Sequence, residues 1–152
     1  MAGPADEYTR PDGVDDATLA AAGKLSEALE WVERARGRLY DFHQLVGAAD
    51  FLFEEAADQL EQAGAAALAE RVRSEGVGAT VRPGRWTFQV VDEFDDGYYA
   101  TARALEADVR GELLGGRRHV FEAELKDRRR TPGRAGHERR PGDEPPAGRP
   151  VS

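Results

Sequence analysis

The chain contains no cysteine. Disulfides and thiolate metal sites are therefore excluded, and a cytoplasmic location is the expectation. No stretch approaches the run of about 18 apolar residues that a membrane-crossing helix requires, so no membrane contact is expected. The first 16 residues, MAGPADEYTRPDGVDD, are acidic and lack an apolar h-region, so no Sec-type signal peptide is expected. Serine is confined to Ser26, Ser74 and Ser152, which together with the missing cysteine leaves nucleophilic catalysis almost without candidates. The phosphate-cradling, dinucleotide-binding, zinc-protease and nucleophile-elbow motifs are all absent. Glu-x-x-His occurs nowhere, whereas a ferritin-like di-iron bundle uses it twice; His119 precedes Glu122, the reverse order. These absences point away from an enzyme.

What is present suits long amphipathic helices. Of 152 residues, 40% are hydrophobic and 33% charged, too little apolar material for a multilayer fold but enough for one helical domain with flexible ends. The net charge of −8 is unevenly spread. Residues 1–125 carry 13 basic and 25 acidic side chains, and residues 126–152 carry 8 and 4. An acidic body disfavours nucleic acid, because affinity for phosphates requires a concentrated basic face. The Arg128-Arg129-Arg130 run reads as a solvated helix C-terminus complementing the macrodipole.

Three regions follow from this pattern: an acidic lead over 1–15 and a basic Pro/Gly/Arg tail over 131–152, both expected to be disordered, and a helical domain over 16–130. Asp15 or Asp16 is the expected N-cap. Every seventh residue from Leu25 gives Leu25, Val32, Leu39, Val46, Phe53 and Leu60, and a companion row gives Ala28, Ala35, Phe42, Ala49, Ala56 and Ala63. These two rows read as a heptad seam with an Ala-rich side that permits close helix approach. Either the helix runs on through Gly47, at a cost of about 1 kcal/mol for the glycine, or Gly47 ends it and Asp50 caps a second one; the continuous phase favours the first. Gly64 stops this helix, Gly76 ends a short one, and Pro83-Gly84 closes the loop after it. A second long helical stretch opens near Arg85, pauses at Gly115-Gly116 and resumes to about Arg129. The expected fold is all-α: a long antiparallel hairpin turning near residue 75, or a small helical bundle, which dimerisation would complete by covering Trp31, Leu29, Phe51 and Trp86.

The segment Arg85–Ala100, RWTFQVVDEFDDGYYA, concentrates aromatic and acidic residues. Val90, Val91, Phe94, Tyr98, Thr101 and Leu105 share one helical stripe and are expected in the core. Asp95 falls at the stripe's edge, and Gly97 stands in mid-helix with no reason evident in the pattern. In the first helix His43 and Asp50 lie seven residues apart on one flank, with Gly47 between them. A turn near residue 75 sets His43 opposite Arg103–Arg110 and Asp50 opposite Tyr99. That places His43, Asp50 and Glu106 as candidate ligands of a divalent metal, with Asp95, Tyr99 and Arg103 lining a polar pocket. The competing reading is that these groups satisfy one another and set helix register. No cofactor is required by the sequence. The expected function is a non-enzymatic helical protein acting through self-association, as a homo-oligomer, or through a helical protein partner. The alternative is a bundle binding a metal ion or small ligand around His43.

Overall fold

The computed structural model describes residues 7–140. Over them the chain is mostly helical and forms no named strand. Helix α1 spans Asp16–Gln62, α2 Ala66–Glu75 and α3 Thr87–Phe94; a π-helical turn, Asp95–Tyr99, leads into α4, Ala100–Leu114; and α5 covers Val120–Arg129. No helix among the described residues is long and apolar enough to cross a membrane.

Local chemistry sets the ends of these elements. Asp15 is the N-cap of α1, its Oδ1 accepting from the Thr18 N–H at 2.7 Å. The 47 residues of α1 continue through Gly47 without a break. At the far end Gly64 adopts φ +83°, and the Ala65 N–H donates to the Leu60 carbonyl while the Gly64 N–H donates to that of Glu61. This is the Schellman arrangement, which only a residue tolerant of positive φ completes without strain. The Arg82–Arg85 turn has Pro83 and Gly84 at its centre, Gly84 taking φ +76°, and the Arg85 N–H donates to the Arg82 carbonyl at 3.1 Å. The side chain of Gln89 accepts from the Trp86 N–H and so secures the start of α3.

The chain divides into two compact units, one made of residues 1–29 and 103–152, the other of residues 30–102. The first unit has a contiguous apolar core. Leu19, Ala22, Leu114 and Val120 are buried together, with Val14 and Val109 packed against them. Phe121 of α5 lies beside Gly23, in ordinary van der Waals range of where a Cβ would stand. Of the expected disordered lead, residues 1–6 lie outside the described residues, and residues 7–15 are tied down. Arg10 grips both carboxylate oxygens of Glu124 at 3.0 and 2.9 Å and also reaches Asp16, and Arg117 donates to the Thr9 carbonyl. Of the expected disordered tail, residues 131–140 form turns: the Thr131 N–H donates to His137 Nδ1, and Arg139 pairs with Asp127. Residues 141–152 lie outside the described residues.

The second unit is organised by one face of α1. Of the expected row, Val32, Leu39 and Val46 are half-buried, while Phe53 is exposed. Its companion is not the Ala-rich row. Ala35, Phe42 and Ala56 are exposed and Ala49 is half-buried, and the row turned inward is Arg36, His43, Asp50 and Ala57. Both rows neighbour the first at helical spacing, so apolar periodicity alone cannot choose between them. The polar row is chosen because each of its polar members has a partner. Arg36 makes a two-pronged pair with Asp95 at 2.7 and 3.0 Å. His43 Nδ1 and the Thr87 hydroxyl share a hydrogen bond of 2.7 Å, and Asp50 Oδ1 accepts from the Gly78 N–H at 2.6 Å. Partner numbers fall as the row advances, so residues 78–95 run antiparallel to α1. At its end Arg73 of α2 bridges Asp58 and Glu61.

The π-helical turn corrects the expected core stripe. Its extra residue lets the Ala100 N–H donate to the Asp95 carbonyl, five residues back. One inserted residue rotates everything after it by about 100°. Val91 is buried and Phe94 half-buried, as the stripe requires, but beyond the turn Tyr98 is 65% and Leu105 53% exposed, and Thr101 is exposed too. Tyr99, Ala102, Glu106, Val109 and Leu114 face inward instead. Gly97, unexplained by the periodicity, sits inside this turn.

The shifted phase is measurable. Leu114→Ala is expected to cost about 2–4 kcal/mol in urea denaturation, as a buried leucine. Leu105→Ala, in the expected core but outside the observed one, is expected to cost below about 1 kcal/mol. Equal losses would show that the two leucines share one buried face.

Candidate functional site

Two features of the second unit bear on function: a groove beside His43 and an apolar seam on the outside of α1. The groove encloses about 580 Å³ and is walled by α1 on one side and by the segment from Glu75 to Thr87 on the other. His43, Asp50, Phe53, Val81, Trp86 and Thr87 line it. Gly47 stands in its wall with open space where a side chain would be, so the missing Cβ widens the groove and serves no close approach. His43 and Asp50 are thus brought to one concavity, as their spacing suggested, and the chain facing them is the loop before α3.

The other candidate residues are engaged elsewhere. Glu106 belongs to the first unit, where it accepts from the Ser26 hydroxyl at 3.1 Å and from Arg110 at 3.0 Å. Asp95 is held by Arg36, and Tyr99 donates to the Glu33 carboxylate at 2.8 Å. Arg103 is exposed. Among the described residues no three His, Asp or Glu side chains converge as metal ligands would. The expected arrangement failed on register. It assumed a turn near residue 75, but α1 ends at Gly64 and α2 lies beyond that turn, so His43 meets Thr87 where Glu106 was expected and Asp50 meets Gly78 where Tyr99 was expected. Sequence reasoning also missed Arg36. A signal existed: Arg36, His43 and Asp50 recur at sevens, and a repeated polar position can mark a seam with partners as well as a solvated face.

Arg36 is held from more than one side. Its guanidinium lies 4.9 Å from the Tyr40 ring centroid and 5.1 Å from that of Tyr99, while bonded to Asp95. The bond to Arg36 holds the Asp95 carboxyl below the usual carboxylate range, against the opposing effect of desolvation. This is a structural clamp, in which both carboxylate oxygens of Asp95 and two guanidinium nitrogens of Arg36 are committed to each other.

The second feature is a flank of α1 turned outward beside the inner row, exposed along its length except at Ala49, which is half-buried and lines the groove. Trp31, Ala35, Arg38, Phe42, Leu45, Ala49, Leu52 and Ala56 step by alternating three and four residues. That is a heptad seam in its own right. Trp31 is 61%, Leu45 67% and Leu52 62% exposed, far from buried for residues in such a pattern. Arg34 lies over the Trp31 ring at 4.5 Å.

The clamp has a pH signature. A carboxyl whose folded pKa lies below its unfolded value near 3.9 stabilises the fold above that value, and the contribution is lost as pH falls through the folded pKa. Asp95→Asn is therefore expected to lower the melting midpoint at neutral pH, with the deficit shrinking as pH drops below about 4. Melting curves followed by circular dichroism from neutral to acid test this, and a deficit that does not change with pH would remove the ionised clamp.

Comparison with protein-family models, with curated proteins and with solved structures finds no match to this chain.

Proposed function

We propose that this chain is a non-enzymatic helical protein that acts by helix–helix association, with itself or with a helical partner, through the outward seam of α1. The observation that carries this reading is the exposed heptad. Isolated surface leucines need no explanation, but a row of aromatic and aliphatic residues at coiled-coil spacing, left uncovered along one helix, is an interaction surface. Covering it with another helix completes a bundle, which is the state proposed for the working protein. The scarcity of nucleophiles and the commitment of Arg36, Asp95 and Tyr99 to intramolecular partners agree with a binding role.

Sedimentation velocity across micromolar concentrations tests the seam. The wild type is expected to associate, and the double substitution Leu45→Glu/Leu52→Glu to sediment as monomer with unchanged helicity, because charges placed in the seam resist desolvation while leaving the inner face intact. If both proteins sediment alike as oligomers, the seam is not the associating surface. A monomeric wild type removes self-association and leaves a helical partner.

The groove favours a second reading, a small ligand or divalent metal held beside His43. Its support is the shared concavity of an imidazole, a carboxylate and the Trp86 ring. Titration with zinc, read on the imidazole NMR signals, separates the two. Under this reading the His43 signals shift selectively and Asp50→Asn abolishes the shift. Uniform small shifts at His43, His119 and His137 exclude zinc binding in the groove.

A further inference from the structure

The outward seam carries more information than exposure. Apart from Phe42, residues with small side chains and residues with large ones are segregated along it. One row holds Ala35, Phe42, Ala49 and Ala56, and the other Trp31, Arg38, Leu45 and Leu52. Laid parallel and in register against a copy of itself, the seam sets Trp31 on Trp31, Arg38 on Arg38 and alanine on alanine. That geometry stacks bulk on bulk, leaves voids between the alanines and opposes two guanidinium groups. Laid antiparallel, the same rows interleave. Trp31 falls against Ala56 of the partner subunit, Ala35 against Leu52 of the partner subunit, and Phe42 against Leu45 of the partner subunit. Arg38 meets Ala49 of the partner subunit, whose small side chain leaves the guanidinium room to reach water.

The flanking charges agree with that alignment independently of the packing. The position beside the seam holds Arg34, Asp41, Ala48 and Glu55 at intervals of seven. In antiparallel coiled coils such positions face their own kind across the interface. The register that sets Trp31 on alanine also brings Arg34 to Glu55 of the partner subunit, twice, by the two-fold symmetry of an isologous contact. Arg34 is already placed at the seam by its stacking over Trp31, and Glu55 is exposed.

We propose that a second copy of this chain occupies the outward seam of α1, antiparallel, in the register that sets Trp31 against Ala56 and Arg34 against Glu55 of the partner subunit. This rests on the association reading above and narrows it to one occupant and one orientation.

The absence of cysteine makes the test direct, since any introduced thiol is unique. Ala35→Cys and Leu52→Cys both alter exposed positions, so folding is expected to survive. Under mild oxidation each variant alone is expected to stay uncrosslinked, and an equimolar mixture is expected to yield a disulfide-linked dimer joining position 35 to position 52. In parallel, Arg34→Glu is expected to raise the dimer dissociation constant about tenfold, and Arg34→Glu/Glu55→Arg to restore it. Crosslinking of Ala35→Cys alone would overturn the antiparallel register while leaving association through the seam in place. An oligomer that forms no disulfide in the mixture, or a wild type that is monomeric by sedimentation, would overturn the proposal.

Discussion

The second unit depends on a row of three polar side chains that point inward. Arg36, His43 and Asp50 stand seven residues apart on α1, and each reaches a different place on the returning chain: the π-helical turn, the first residue of α3 and the loop after α2. Buried apolar contact alone would permit many alignments of two helices, since one aliphatic residue fits nearly as well beside another. Hydrogen bonds do not slide, and a displaced donor or acceptor in a half-buried position loses its partner outright. In this unit the buried apolar residues are Ala57, Ala69 and Val91, small and scattered, so the polar row fixes alignment where packing is too uniform to do so. The first unit solves the same problem differently, with a contiguous aliphatic core and an arginine clasp from Arg10 to Glu124.

The π-helical turn follows from the same constraint. Asp95 must meet Arg36, and Tyr99 must meet Glu33, both on α1. Continuing as regular α-helix, the chain after Asp95 would turn Tyr98 and Leu105 toward the face on which Val91 is buried. The inserted residue turns the polar residues Tyr99 and Glu106 inward and leaves Tyr98 and Leu105 to solvent. The helix therefore gives up an apolar stripe for hydrogen-bonding partners. Gly97 lies exposed in that turn with open space where a Cβ would stand, so the turn draws no packing advantage from its missing side chain.

Much of this was legible in the sequence, and the parts that were not share one physical origin. Helical class, the continuity of α1 through Gly47, the N-cap at Asp15 and the stops at Gly64, Gly76 and Gly115 follow from rules that act within a few residues. Which of two rows flanking Leu39 turns inward does not, because the answer lies with Asp95 and Thr87, far along the chain. The Leu39 row was read as inward and is, but alanines were read as its packed companion where the Arg36 row turns in. The flank at Trp31 was expected to be uncovered and is exposed, while the Ala-rich row beside it was credited to the core. The shared groove of His43 and Asp50 was readable because both residues lie on one helix. The roles expected of Glu106, Asp95 and Tyr99 depended on register, and the chain reverses at Gly64, the expected helix stop, and not near residue 75.

A structure aligned by hydrogen bonds over a thin apolar interior has a thermal character of its own. The heat capacity of unfolding grows with the apolar surface newly exposed to water and shrinks with the polar surface. Here the fully buried set among the described residues includes three alanines, and the residues that lock the second unit are an arginine, a histidine and two aspartates. Unfolding uncovers little oil and much that water already solvates well. The stability of such a chain varies gently with temperature, curving less on both sides of its maximum than that of a densely packed domain of equal length.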